Sequence, residues 1–287
     1  MSPSDASLLL CSDLDGTLIP DGRAPESPDA RPLFRRLAAH RGVCLAYVTG
    51  RHPELAEQGL QHTKLPQPQF LLGDVGSSIY LHRGKGWEPL QDYWSQIAPD
   101  WGGAEYADLL ALLRDIAGLS PQEPEKQARF KASFYATPNT DAATAVATAR
   151  ARLEGQGVRA NLIWSRDIDG RTGLLDVLPA RADKRQAILF LHAWLDAAPD
   201  HMVFAGDSGN DLAVLGSAVP SILVANAITT VRAAAVAAAL ASGHPDRLYL
   251  ARGGYRGMNG NYAAGVLEGV VHFLPEADAW IEQEAAA

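Results

Sequence analysis

Short apolar runs alternate with amphipathic segments over most of this chain, and the alternation predicts strands and helices in turn. Residues 8–12, 43–48, 70–72 and 78–81 read as strands, with helical spacing at 30–40 and 53–60 between the first three. Pro53 falls at an early helical position, where proline is tolerated. The pattern resumes with a helix at 184–195, a strand at 202–205 and a helix from Asp211. A strand at 221–225, an alanine-rich helix at 228–241, a strand at 248–251 and a closing helix at 262–273 complete it. Such alternation predicts an α/β fold, a parallel sheet wrapped by helices. The Ala and Val residues of 228–241 predict close packing of that helix on the sheet.

The middle reads differently. Gly84-Lys85-Gly86 marks a turn, 106–116 an amphipathic helix, 130–136 a strand, 142–153 a helix and 158–164 a strand. This predicts a compact α+β module, residues 84–173, inserted into a core made of 1–83 and 174–287, with the 170–173 turn as its second border.

Composition narrows the setting. A formal charge of −8 argues against a nucleic-acid footprint. No window approaches the roughly 20 consecutive apolar residues of a membrane span, and residues 1–5 carry no basic, signal-like start. The expectation is a cytoplasmic protein with neither nucleic acid nor membrane as partner. Cys11 and Cys44, the two cysteines, lie in apolar strand contexts and read as buried small hydrophobes.

The first strand feeds directly into Asp13-Leu14-Asp15-Gly16-Thr17. Ligands of open α/β sheets bind at the carboxyl ends of strands. Two carboxylates crowded there repel each other unless a cation or a shared proton relieves them. Hard oxygen donors suit Mg²⁺. The run therefore asks for a divalent metal and an anionic substrate, with one carboxylate as nucleophile and the other as general acid/base.

This run resembles the first motif, Asp-x-Asp-x-Thr, of the haloacid dehalogenase superfamily. Tyr47-Val48-Thr49-Gly50-Arg51 resembles the second, a strand ending in a hydroxyl residue. Lys184, preceded by Pro179-x-x-x-Asp183, resembles the third, and Gly206-Asp207-Ser208-Gly209-Asn210-Asp211 the acidic fourth. The resemblance implies a Rossmann-like parallel-sheet core, with the insert as a cap that closes over the site. It also implies Mg²⁺-dependent phosphate ester hydrolysis through an aspartyl-phosphate on Asp13. Asp15 would protonate the leaving oxygen and then deprotonate water. Thr49 and the backbone of Gly50 and Arg51 would bind phosphoryl oxygens, and Lys184 would stabilise the nucleophile. Asp13, the Asp15 carbonyl and Asp207 would hold the metal, with Asp211 acting on it through water or supporting Lys184. Asn210 is implied as a phosphate or Lys184 contact. Arg185 stands as the alternative cation to Lys184, Arg51 as a side chain that could pair with an acidic neighbour, and His52 as a surface residue.

Residues 11–17, 45–51, 75–80, 176–179, 206–211, 224–227 and 263–273 are similar, more narrowly, to the sucrose-phosphate phosphatase family. That resemblance implies a small sugar phosphate as substrate, sucrose 6-phosphate first. Another disaccharide phosphate, such as mannosylfructose phosphate, comes next, and phosphomutase chemistry last. Association with a sugar-phosphate synthase stays open. In the cap, Lys131-Ala132-Ser133 resembles the family's Lys-x-Ser strand, and 165–167 part of a later strand end. Lys131, Ser133, Tyr135 and Asp176 are the candidate sugar contacts. Trp87, Trp94 and Trp101 read as core or hinge packing ahead of sugar stacking. Two stretches depart from the family: a longer 169–173 connection and a glycine-rich 252–261, both candidates to line the cap–core cleft.

Overall fold

The computed structural model describes residues 6–84, 86–166, 171–197 and 201–282. Lys85 of the expected first border, 167 and 169–170 near the second, and the 1–5 start lie outside the described residues.

Strand β1 (Leu8–Ser12) is buried along its whole length, as expected of a parallel strand covered on both faces. Helix α1 (Ala30–Ala39) lays Ala30, Phe34 and Leu37 onto the core, a helical spacing of apolar positions. β2 (Val43–Val48) and α2 (Pro53–Thr63) follow, then β3 (Phe70–Gly73), β4 (Ser78–Arg83) and β5 (Gly86–Pro89). The inserted region contains α3 (Gln91–Ile97), α4 (Tyr106–Leu113), β6 (Leu119–Pro121), β7 (Ala132–Ala136), α5 (Ala142–Gly155), β8 (Ala160–Arg166) and β9 (Gly173–Pro179). The chain then returns through α6 (Lys184–Trp194), β10 (Met202–Gly206), α7 (Leu212–Leu215), β11 (Ser221–Leu223), α8 (Thr229–Ala241) and β12 (Leu248–Leu250). Helices α9 (Ala263–Phe273) and α10 (Ala277–Glu282) close it.

Among the described residues the large sheet has the order β12-β11-β10-β1-β2-β3-β4-β5, parallel from β12 to β3 and antiparallel for the last two strands. The smaller sheet, β6-β7-β9-β8, is antiparallel throughout. Sheet membership moves both expected borders. β5 pairs with β4 in the large sheet, so the core runs on to Pro89. β9 pairs with β7 and β8, so the second crossing falls after Pro179 rather than at residue 174.

Helix α8 meets α7 through small residues: a Cβ at Gly216 would lie 2.6 Å from the Ala238 Cβ, and Ala235 joins Val214 and Leu215 in one buried cluster. Small residues here shorten the approach of α8 to α7. The expected helix from Asp211 is a single 3-10 turn, Gly209–Asp211, followed by the four-residue α7.

From β1 the chain builds outward to β2 and β3, then returns to place β10 on the opposite flank of β1. The strand order reverses at β1, and the crevice outside its carboxyl end is where such sheets bind ligands. Asp13, Thr49 and Asp207 each follow one of the three strands that meet there.

Candidate active site

Asp13 leaves β1 with its N–H bonded to the Ala205 carbonyl at 2.8 Å, which ties it to β10. Lys184 opens α6, which Asp183 caps by accepting from the Gln186 N–H at 2.7 Å. The cap fixes the start of the helix and so aims Lys184 inward. Its Nζ stands 3.1 Å from Asp13 Oδ1 and 2.7 Å from Asp211 Oδ1, with all three side chains buried. Lys184, and not Arg185, is therefore the cation on the nucleophile candidate. Gly76, at a φ of +87°, lets the turn after β3 press on this helix start, where a Cβ would lie 2.4 Å from the Asp183 carbonyl.

Asp207 accepts from the Thr17 hydroxyl at 3.1 Å. Asp211 accepts from the Asp207 and Ser208 N–H groups at 3.1 and 3.0 Å through one oxygen and holds Lys184 with the other. Carboxylate oxygens of Asp13, Asp207 and Asp211 all lie within 4.8 Å of one another. Gly16 completes the cradle, since a Cβ there would fall 2.4 Å from Asp207 Oδ2.

The electrostatics follow from this crowding. Burial pushes the Asp13 carboxyl well above the usual range; Lys184 opposes the push, and Asp211, Asp207 and Asp15 add to it. Asp207 is pushed up to about 7, chiefly by burial and by Asp211. Burial works against the charge of Lys184, yet Asp13 and Asp211 raise its pKa above the ordinary lysine range. One buried ammonium, with the partly exposed Arg23 guanidinium 3.3 Å from Asp207, does not balance three buried carboxylates. Hard oxygen donors with unrelieved repulsion fit a divalent cation.

The shift at Asp207 gives a signed expectation. Its folded pKa of about 7 lies above the ordinary aspartate value, so the metal-free fold loses stability as pH rises to 7. A divalent cation must displace that proton below pH 7 and meets a free carboxylate above it. At a fixed, sub-saturating Mg²⁺ concentration, the rise in melting temperature should therefore be larger at pH 8 than at pH 6. Thermal denaturation with Mg²⁺ and with chelator measures it, and an equal or reversed increment would count against this site.

Asp15 behaves differently. Its carboxylate, partly exposed, is forked by Arg51, with Nε and Nη2 at 2.8 and 2.6 Å from its two oxygens. It stands outside the acidic triad. Arg51 thus takes the acidic-neighbour pairing and also donates to the Leu55 carbonyl, so its side chain is committed inside the protein. Thr49 is buried, and its hydroxyl accepts from the Arg51 N–H at 3.2 Å, which shapes the loop between β2 and α2.

A cleft of about 1,110 Å³ opens above these groups, walled by core and cap residues together. Asp13, Asp15, Thr49, Gly50, Arg51, Asp207 and Asn210 form part of its core side. Asn210 accepts from the Ser208 hydroxyl and faces the cleft, while Lys184 has Asp13 and Asp211 as partners. His52 lines the cleft with Nδ1 buried and without a hydrogen bond, so it is not a plain surface residue.

On the cap side the candidates divide. Asp176 lines the cleft, and Ser133 sits behind it, donating to its carboxylate at 2.5 Å. Lys131 lines the cleft but reaches across to the core: Nζ donates to the Gly50 carbonyl at 3.1 Å and lies 3.8 Å from buried Asp74. It is a strut between cap and phosphate-loop candidate. The Tyr135 hydroxyl bonds Lys126 and Glu123 at the surface. Trp101 packs on Phe130, Trp94 on Tyr80 and Phe130, and Trp87 donates to Glu57; these are the packing roles expected. The aromatic wall of the cleft is Trp164, which the sequence reading missed although it falls in a predicted strand. Asp21 and Arg23, also missed, line the core side. Residues 252–261 stand outside the cleft lining and instead brace the 20–27 loop.

The sucrose-6F-phosphate phosphohydrolase family model matches residues 6–274. The chain belongs to that family. It is a sugar-phosphate phosphatase with a haloacid dehalogenase fold. Its relatives include a haloacid dehalogenase-like hydrolase of Nitrosococcus oceani, 49% identical over 96% of this chain and 74% of that protein. They also include the mannosylfructose-phosphate phosphatase of Agrobacterium fabrum, 31% identical over 77% of this chain and 84% of the relative. The sucrose-phosphatase of Synechocystis, solved with sucrose and phosphate, superposes with a TM-score of 0.74 at 26% identity, covering 93% of this chain and 98% of that one. Among the described residues no helix is long and apolar enough to cross a membrane. Cys11 and Cys44 are buried free thiols, and burial pushes both up, Cys44 to about 12.

Proposed function

We propose that this protein hydrolyses a phosphorylated disaccharide, sucrose 6-phosphate before others, through an aspartyl-phosphate on Asp13. The observation that carries the reading is Lys184 Nζ held between Asp13 and Asp211 at the floor of a cleft roofed by a polar and aromatic cap face. Asp13 attacks phosphorus as the bond to the sugar oxygen breaks, and Asp15, protonated once one of its oxygens turns from the Arg51 fork to the substrate, gives that oxygen its proton. Water then attacks the phosphoryl group, Asp15 takes its proton, and the bond to Asp13 breaks to release phosphate. Lys184 keeps the nucleophile oriented and offsets charge on the phosphoryl oxygens, the electrostatic share of the work. The Thr49 hydroxyl and the Gly50 N–H bind those oxygens, and the Arg51 N–H, which donates to the Thr49 oxygen, leaves the Thr49 hydroxyl proton to point at them. Mg²⁺, held by Asp13, Asp207 and the Asp15 carbonyl, would neutralise further phosphoryl charge. Asp211, with both oxygens engaged, braces the loop and Lys184.

Asp176, fixed by Ser133, and Trp164 offer the sugar a carboxylate acceptor and a flat apolar face. The relatives point to two disaccharide phosphates, and sucrose 6-phosphate agrees with the family match over nearly the whole chain. Phosphate release from sucrose 6-phosphate, mannosylfructose phosphate, trehalose 6-phosphate and hexose phosphates, with Mg²⁺ and with chelator, tests this. A large kcat/KM preference for sucrose 6-phosphate, lost on chelation, is expected. A preference for another sugar would keep the catalytic roles and discard the sucrose assignment; no release without a bisphosphate activator would point to a mutase.

A further inference from the structure

Arg23 lies in a loop that none of the four motifs includes, yet its Nη2 stands 3.3 Å from Asp207 Oδ2. Its placement is built. Arg23 Nε is paired with the buried Asp21 carboxylate, which also accepts from the Arg23 N–H at 3.0 Å. The Tyr262 hydroxyl donates to Asp21 at 2.8 Å and accepts from the Ala24 N–H at 3.1 Å. Tyr262 is fully buried and holds a φ of +51°, a conformation costly for a bulky side chain that the fold nevertheless maintains. Two asparagines, Asn259 and Asn261, each donate to the Pro25 carbonyl, at 2.9 and 3.0 Å, and so tie down the same loop. The glycine-rich stretch before the final helix is thus the mount for a cation over the acidic triad.

The charges say what that cation must do. With all groups ionised, Asp13, Asp15, Asp21, Asp207 and Asp211 supply five negative charges, against three positive ones from Lys184, Arg51 and Arg23. A divalent cation that takes Asp207 competes with Arg23 for that carboxylate. A phosphoryl group entering the same cleft brings new negative charge beside Arg23, which is partly exposed and is held to Asp21 through Nε while Nη2 reaches Asp207. We propose that Arg23 is an exchange cation: it neutralises Asp207 in the metal-free protein and transfers to the phosphoryl oxygens once metal and substrate are both bound. Guanidinium–phosphate contacts of this kind are charge-assisted and geometrically specific. The inference rests on the metal-dependent phosphatase reading and deepens it.

Calorimetric titration of Mg²⁺, and then of inorganic phosphate at saturating Mg²⁺, into wild type and Arg23→Gln tests the exchange. Mg²⁺ should bind Arg23→Gln about three- to tenfold more tightly and phosphate about tenfold more weakly, the sizes expected when one nearby charge is removed from each equilibrium. Tyr262→Phe, which keeps the ring and removes the hydroxyl that holds Asp21, should shift both constants in the same directions by less. The opposed signs are decisive, since a merely structural lesion weakens both ligands. Both weakened, either one unchanged, or tighter Mg²⁺ with unaltered phosphate would each overturn the proposal. Asp207→Asn separates the two readings. If wild type binds no Mg²⁺, or Asp207→Asn binds it as well as wild type, the metal site itself falls and the exchange with it. If Asp207→Asn abolishes binding and Arg23→Gln changes nothing, only the role of Arg23 falls.

Discussion

Asp13→Asn should lower kcat by at least about 10,000-fold, the scale seen when a covalent nucleophile is removed, and leave the melting temperature close to wild type. The amide is nearly isosteric with the carboxylate, so the packing around it is kept. It cannot form the phosphoryl intermediate, and Thr49, Lys184 and Asp15 have no bond-making atom to serve. Stability should hold because Asp13 is poorly solvated and faces other carboxylates. Losing its charge removes repulsion with Asp207 and Asp211, while Lys184 keeps Asp211 at 2.7 Å. Phosphate release under single-turnover conditions, alongside thermal denaturation, measures both halves. Activity within tenfold of wild type would remove Asp13 from the nucleophile's role. A collapse of the melting temperature would make the activity loss uninformative, and Asp13→Glu, which keeps the charge and displaces it, then serves as the second variant.

The catalytic floor was legible in the sequence because the residues that build it each follow a short apolar run. Parallel strands buried on both faces read as unbroken hydrophobic blocks, so the position where β1, β2 and β10 release Asp13, Thr49 and Asp207 could be placed before any contact was known. The border strands were harder. Residues 173–179 read as apolar whichever sheet takes them, and only their pairing with β7 and β8 assigns them to the cap. Roles that depend on long-range geometry were illegible for the same reason. Lys131 looks like a cap residue facing sugar, but its long stem carries the ammonium across to Gly50 and Asp74. Ser133 sits opposite Asp176 in the strand register and donates to its carboxylate, a pairing that only the register reveals. Arg23 stands in a polar turn without periodicity, positioned through Asp21 by Tyr262 at the far end of the chain.

Lys184→Met should have the largest effect on stability and a large effect on rate. The side chain is 1% exposed, and its ammonium is the common partner of Asp13 and Asp211. Methionine fills similar space, so the loss is electrostatic. Breaking a buried ion pair on one side costs about 3–5 kcal/mol, because the remaining charges stay desolvated and unpaired. Asp13, which loses the cation that opposes its burial, will respond by holding its proton, which sets the sign of the pH dependence. The Asp13 folded-state pKa, already raised by burial, rises further above the unfolded one, so the variant loses stability as pH increases and recovers part of it as pH falls. Urea denaturation at pH 8 and pH 5.5 should show a deficit that is greater at the higher pH. Lys184→Arg should restore little, since a planar fork needs room and donors' partners that a fully buried ammonium site does not provide. The rate should fall by about 100- to 1,000-fold or more, the usual cost of losing one preorganised donor to developing charge, with the proton on Asp13 adding to the loss at low pH. A Lys184→Met protein as stable as wild type at pH 8 would mean that Asp13 and Asp211 do not need this cation. The account of the floor as a charge-balanced cradle, with Asp211 as its brace, would then have to be abandoned.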